Sequence, residues 1–423
     1  MASNTFRSLR YPNARLFFAG LALSNIGTWI QFTALAILVD RLTGKTTAIG
    51  VMSALQFVPM LVLGAWAGAI TDRVDRLTMT KITQALLAAE GLALAACDLT
   101  GVINIPIIYS LTFVLGLVSA FDNPARRGLV TELVPADQIP NAVSLNTAVM
   151  TGSRIFGPAI TAVLIGPLGT GWLFVLNALS FGAILGSLFL IRRAEMFPPP
   201  RAPRGGTPIR DGLRFIRRTP VLLATFIAFT LWSTFAFNYN VSLPRIADEV
   251  WGAEHWFGWV LTSISIGSLA GSLLTASRAW VSLRWLIGMA ALMCAGNFAL
   301  ALAPEPWLAM LVAVPLGLGG AGVVSAVNAI SQQECPPDMR GRILALSAVA
   351  FLGSYPIGGP LTGIVGDQIG LAWSIAYGGV ISSVTLLGLV WWALGRRPEQ
   401  SRRAVLRSLL GTTEPVAAST NDR

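Results

Sequence analysis

Cysteine and histidine are nearly missing from this chain of 423 residues, which has three cysteines (Cys97, Cys294, Cys335) and a single histidine, His255. The cysteines stand far apart, so there is no disulfide framework and no CxxC pair. A structural zinc site or a histidine-based triad has almost no material, and neither a metal nor another cofactor is expected. Charge is scarce as well, at 12% of residues, about half the share of an ordinary soluble domain. What remains is apolar. Hydrophobic residues make up 54% of the chain and the mean hydropathy is +0.66, values that exclude a soluble globular protein and fit a polytopic membrane protein.

Apolar stretches of about 20 residues, enough to cross a hydrocarbon layer of roughly 30 Å as helices, recur along the chain. Twelve are expected: Leu16 to Val39, Ile49 to Ile70, Ile82 to Leu99, Ile105 to Phe121, Val143 to Ile165, Trp172 to Ile191, Val221 to Val241, Phe257 to Leu274, Trp285 to Ala303, Trp307 to Ile330, Ile343 to Val365 and Ala372 to Leu394. The first is 24 residues long, too long for a cleavable signal core, and is expected to persist as a helix. Basic residues orient the set, because Lys and Arg stay on the cytoplasmic side during insertion. With both termini cytoplasmic, 26 of the 30 basic residues fall in the tails or the even-numbered connections; only Arg41, Lys45 and Arg245 lie outside, and Arg154 lies within a span. The net charge of +10 is spread along these membrane-flanking loops, which suits anionic lipid headgroups and not nucleic acid.

The chain also carries an internal repeat. Gly64, Gly68 and Asp72 are matched by Gly267, Gly271 and Thr275 at an offset of 203, Glu132 and Pro135 by Glu334 and Pro337 at 202, and Gly157-Pro158 by Gly359-Pro360 at 202. Two halves of one architecture are implied: residues 1–191 as one six-helix bundle and 221–395 as another. A cytoplasmic linker over 192–220, with Pro198 to Pro200 and eight arginines, joins them. Its second part places Ile209, Leu213 and Ile216 on one face, as an interfacial helix would. Residues 396–423 read as a basic, then polar cytoplasmic tail.

Two enzyme-like motifs fail on context. Gly44-Lys45-Thr46 ends like a phosphate-binding loop, but Val39 stands where the earlier glycine is required. The GxGxxG at Gly317 to Gly322 lies inside an apolar helix with no preceding strand, so it reads as close helix packing. No enzyme is expected. The segment from Gly64 to Arg76 makes sense instead as a gate. Gly64 and Gly68 offer a small-residue face to a neighbouring helix, and Asp72 at the membrane edge can meet a helix amino terminus or a cation. Arg73 and Arg76 follow, and Asp122 ends the fourth span on the same side.

With Gly68, Asp72, Arg73 and Arg76 in place, the chain resembles the major facilitator superfamily, whose signature after the second helix is Gly-x-x-x-Asp-Arg-x-Gly-Arg; Asp75 replaces its later glycine. Gly27 to Gln31, Leu42 to Gly44, Pro124 to Arg127, Glu132 to Pro135 and Asn141 to Asn146 look like its enterobactin-exporter and transmembrane secretion effector branch. The resemblance implies an all-α membrane fold of twelve helices in two pseudo-symmetric six-helix bundles. It also implies export of a small organic molecule from the bacterial cytoplasm through the inner membrane, driven by proton entry, by a monomer. Import, or a non-transporting accessory role, is the alternative. By the same resemblance Asp72 docks on the start of the eleventh helix near Arg342 and exchanges contacts with Arg76 and Asp122, and helices one, four, seven and ten line a cavity. That points to Asn25, Trp29, Gln31, Tyr109, Trp232, Asn238, Tyr239 and Asn328, an aromatic and neutral polar set suited to a bulky amphiphile, or else ordinary packing residues.

Ionisable groups deep in a membrane are costly and usually functional. Arg154, just before Gly157-Pro158, either orients an anionic substrate, neutralises a buried acid or pairs with helix carbonyls. Glu90 is either a proton carrier, since burial favours the neutral form of a carboxyl, or a protonated structural group.

Overall fold

The computed structural model describes residues 6–71, 73–198, 208–336, 339–353 and 355–395. All regular structure among them is helical, as a chain must be where no water can satisfy exposed backbone groups. In order the α-helices are α1 (Pro12–Thr43), α2 (Thr46–Thr71), α3 (Arg76–Leu99), α4 (Ile105–Glu132), α5 (Ile139–Leu190), α6 (Pro208–Arg218), α7 (Pro220–Phe235), α8 (Tyr239–Glu249), α9 (His255–Ala276), α10 (Leu283–Ala301), α11 (Pro306–Gln333), α12 (Arg340–Leu352), α13 (Tyr355–Gln368) and α14 (Leu371–Gly395). Eleven helical segments of the described residues are long and apolar enough to cross a membrane. One of them holds two spans. Inside α5 the backbone leaves helical geometry at Gly169 (φ 73°, ψ 176°), a conformation open to glycine but not to residues with a Cβ. The fifth and sixth spans meet at that corner, which brings the crossings to twelve.

Local sequence explains the other ends. Proline opens α1, α7 and α11 at the first turn, where its missing N–H costs nothing. Asn104 caps α4 through the Ile107 N–H at 3.0 Å, and Gly44 ends α1 in the left-handed region. Three spans differ from expectation. The fourth continues past Phe121 to Glu132, with Pro124 inside it. The seventh breaks over residues 236–238 into α7 and α8, and the eleventh breaks after Leu352 into α12 and α13.

The six helical spans before the linker and the six after it pack as two bundles. Glycines set the closest crossings: a Cβ on Gly267, Gly271 or Gly317 would fall 1.9, 2.1 or 2.0 Å from a carbonyl oxygen of the facing helix. The GxGxxG stretch of α11 is therefore a packing face against α9 and α10. Large apolar side chains such as Phe189, Leu311 and Trp391 are left exposed on the outside, as lipid-facing positions require. Helix α6 lies against α12, with Ile216 buried, Leu213 exposed and Asp211 3.4 Å from Arg342. We call the side bearing the start of α1, the end of α14 and the linker the linker face, and the opposite side the far face.

Candidate functional site

Three polar clusters lie within the apolar body, and helix ends carry a fourth set of contacts. The first cluster is a chain across one bundle. Gln31 on α1 donates its amide to both carboxylate oxygens of Glu90 on α3, at 3.0 and 3.2 Å, and Asn177 in the second part of α5 donates to the Gln31 carbonyl at 2.6 Å. All three are at most 4% exposed. Glu90 thus has a neutral partner, and Gln31 is spent on that pairing instead of lining a cavity.

Toward the linker face stands the second cluster. Asp122 accepts from Thr83 at 2.7 Å and Gln84 at 2.8 Å, both on α3, and lies 3.4 Å from Arg126 one turn along α4. Arg126 also donates to Asn25 on α1 at 3.1 Å. The continuation of α4 through Pro124 is what puts Asp122 and Arg126 on one face. A buried carboxylate needs such a partner, since an isolated one is very costly.

The third cluster sits near mid-depth between the bundles. The Arg154 guanidinium lies over the Trp29 ring, 4.9 Å from its centroid, while Tyr239 and Tyr355 belong to helices of the other bundle. Tyr355 stacks on Phe57 of α2 at 4.8 Å and meets Phe351, which in turn touches Phe237 and Phe229. Beside Tyr239 and Phe237 a small recess lies against α9, α10 and α11, lined by Ser268, Met293 and Gly317. A single cation among aromatic rings, open on one side, can receive a carboxylate or a ring face of a guest.

At the linker face, Arg76 pairs with Glu132 at 3.0 Å, so the acid facing it among the described residues is Glu132, while Asp122 turns inward to Arg126. Gly128 leaves the space in which the Arg76 side chain lies, since a Cβ there would be 2.5 Å from its Nε. Asp75 explains the missing motif glycine: it caps α3 through the Thr78 N–H at 2.7 Å and takes both guanidinium nitrogens of Arg193. Burial pushes its carboxyl upward, but Thr78 and Arg193 outweigh that and hold it below the ordinary range. Arg73 is exposed. Asp72, Pro337, the linker stretch 199–207 and the tail 396–423 lie outside the described residues. A Cβ added to Gly64 or Gly68 would meet no atom of the described residues within 4 Å.

At the far face the two bundles touch. Asp40 and Arg245 lie 3.5 Å apart, Arg41 pairs with Glu254, and Asp367 of α13 accepts backbone N–H groups at the start of α2. Gly157-Pro158 packs on Trp29 of α1 and on Gly258 of α9, and Gly359-Pro360 packs on Gly50 of α2. These dipeptides are helix crossings between and within bundles.

Not every expected lining residue faces open space. Trp232 is fully buried, its indole N–H donating to the Ser382 carbonyl. Asn238 is buried at the α7–α8 break, donating to Thr234 and packed on Gly358. Tyr109 donates to the Ala48 carbonyl, tying α4 to α2. Asn25 is buried on Arg126. Trp29, Tyr239 and Asn328 stay half-buried. Arg126 and Asn177 are the residues that sequence reasoning passed over; the four-residue spacing of Asp122 and Arg126, and a lone amide in an apolar span, are the signals that carry them.

Residues 3–408 match the transmembrane secretion effector family. The chain is 24% identical to the staphyloferrin A transporter of Staphylococcus aureus, with 90% of this chain and 96% of that protein covered. It is 23% identical to macrolide efflux protein A of Streptococcus pyogenes, with 89% and 96% covered. A crystal structure of a nucleoside transporter superposes with a TM-score of 0.72 at 14% identity, covering 89% of this chain and 98% of that one, which shows the fold.

Proposed function

This chain belongs to the transmembrane secretion effector family of major facilitator transporters, and on that footing we propose that it exports a bulky amphiphilic organic molecule by alternating access, with protons entering in exchange. The bundles 1–191 and 221–395 rock about the mid-depth cavity, joined by the linker 192–220, with the linker face and both termini in the bacterial cytoplasm and the protein acting as a monomer in the inner membrane. The carrying observation is Arg154 over Trp29, beside an aromatic cluster in which Phe57 of one bundle meets Tyr355 of the other. A guest held there touches both bundles, so its binding can favour one arrangement over the other.

The far-face contacts together with the open surroundings of Gly64 and Gly68 support an arrangement open to the linker face. Glu90 is the proton-carrier candidate, because among the described residues its side-chain hydrogen-bond partner is a neutral amide. Efflux and transport in the relatives' names favour export. The test is uptake and efflux screening in a strain stripped of its own pumps, comparing wild type with Asp72→Asn, followed by gradient-driven transport of any hit in liposomes. Loss of resistance or accumulation in the variant supports the reading. A purified protein that moves none of the hits under any gradient would return it to an accessory role.

A further inference from the structure

Asp367 joins the bundles in a way that neither charge pairing nor apolar packing describes. Its Oδ1 accepts the Thr46 N–H at 2.7 Å and its Oδ2 the Thr47 N–H at 3.0 Å. These residues open α2, so the carboxylate satisfies two of the N–H groups that a helix start leaves without an intrahelical partner. The positive end of the helix dipole favours an anion at that place. The cap comes from the opposite bundle, 321 residues along the chain. A helix capped across an interface keeps its cap only while the interface is shut.

Two glycines bring Asp367 there. A Cβ on Gly363 would lie 2.5 Å from the Thr47 Cα, and one on Gly50 would lie 2.3 Å from the Gly359 carbonyl oxygen. Gly359, Gly363 and Asp367 repeat, residue for residue, the spacing of Gly64, Gly68 and Asp72. Gly64 and Gly68 lie in the carboxyl-terminal part of α2 and Gly363 and Asp367 in that of α13, helices that run antiparallel and pack on each other, so the two stretches point to opposite faces of the protein. In this structure the Gly359–Gly363 copy is in backbone contact, whereas among the described residues a Cβ on Gly64 or Gly68 would meet nothing within 4 Å.

We propose that Gly359, Gly363 and Asp367 form a far-face latch on the amino terminus of α2, with Asp367 as a positioning residue whose engagement alternates with closure at Gly64 and Gly68 as the bundles rock. The latch rests on the alternating-access reading. Asp367 acts through the helix end it caps, not on the transported molecule. Breaking it leaves α2 and α13 folded but shifts the balance toward opening at the far face.

The test uses the full chain with its three cysteines replaced by serine and one cysteine introduced by Ser268→Cys in the lining of the recess beside Tyr239, reconstituted in vesicles of either orientation. A membrane-impermeant maleimide then reports access to the cavity from each face. Asp367→Ala is expected to speed labelling from the far face roughly three- to tenfold and to slow it from the linker face, the range a helix-terminus carboxylate supports. Thr46→Pro deletes one N–H while suiting a first helical position, so it should act in the same direction with Asp367 intact. Adding Asp72→Asn to Asp367→Ala should move labelling back toward wild type. Far-face labelling unchanged by both Asp367→Ala and Thr46→Pro overturns the latch alone, provided the wild type labels from both faces. A cysteine reached from one face only in wild type and every variant defeats the alternating-access reading, and the latch with it.

Discussion

Gln31 presents its amide to Glu90 inside the membrane, Nε2 lying 3.0 and 3.2 Å from the two carboxylate oxygens. An amide can serve the carboxylate and its protonated form alike, since it holds both a donor and an acceptor. Glu90→Gln is therefore expected to abolish gradient-driven accumulation while downhill flux persists. Counterflow and gradient-driven assays on the same liposome preparation separate the two, and full accumulation by the variant would move the carrier role elsewhere.

Arg126 is expected to matter more to the protein than its place among loop-like basic residues suggests. Arg126→Ala strands a buried carboxylate and should cost about 3 kcal/mol of stability. Adding Asp122→Asn removes the stranded charge and should recover part of that loss. Thermal unfolding of the two variants in detergent decides it, equal losses in single and double variants arguing against the pairing.

Arg154→Ala should weaken transport of anionic compounds about tenfold more than that of neutral ones of the same size, because the lost aliphatic stem affects both alike whereas the lost charge affects only the anions. Arg154→Lys keeps the charge but stacks less well on Trp29, and should fall between. Parallel efflux measurements with a charged and a neutral fluorophore provide the comparison.

Asp75 makes a pH-dependent prediction. Its folded-state pKa is depressed, so its contribution is present above the unfolded value of about 3.9 and is lost as pH falls through the folded value. Asp75→Ala should lower stability at neutral pH by about 1 kcal/mol, mostly through the lost helix cap, with little from the half-exposed Arg193 pair. The gap between variant and wild type should close below about pH 4. Melting curves across pH 3 to 8 test this, a gap that persists in acid counting against the carboxylate as its source.

Much of the architecture was legible in the sequence because hydrophobic length and basic flanks are set by the bilayer itself. Helix breaks were not, since neither proline nor glycine marks residues 236–238, and Gly353 is one of many glycines in these spans. Asp122 looked like a helix end because a proline follows at 124, yet α4 absorbs that proline and carries Arg126 round to meet it. Asn177 stands outside the helices expected at the cavity, and a buried amide is bound by tertiary partners that spacing does not reveal. The Gly359–Gly363–Asp367 register was in plain view but displaced by 295 residues from Gly64–Gly68–Asp72, an offset hidden from any comparison that aligns the halves in the same direction. Trp232 and Tyr109 show the reverse error: amphipathic side chains in a membrane span are as ready to satisfy a neighbouring carbonyl as to meet a guest.

The corner at Gly169 gives the buried acid a mechanical neighbour. With one residue and no loop between the fifth and sixth spans, the two parts of α5 are joined directly, and α5 also packs on α9 of the other bundle. Asn177 stands eight residues beyond that corner and grips Gln31, which in turn grips Glu90. On the proposed cycle, a short glycine insertion at the corner should leave the helices in place while freeing the Asn177–Gln31–Glu90 chain from movement between the bundles.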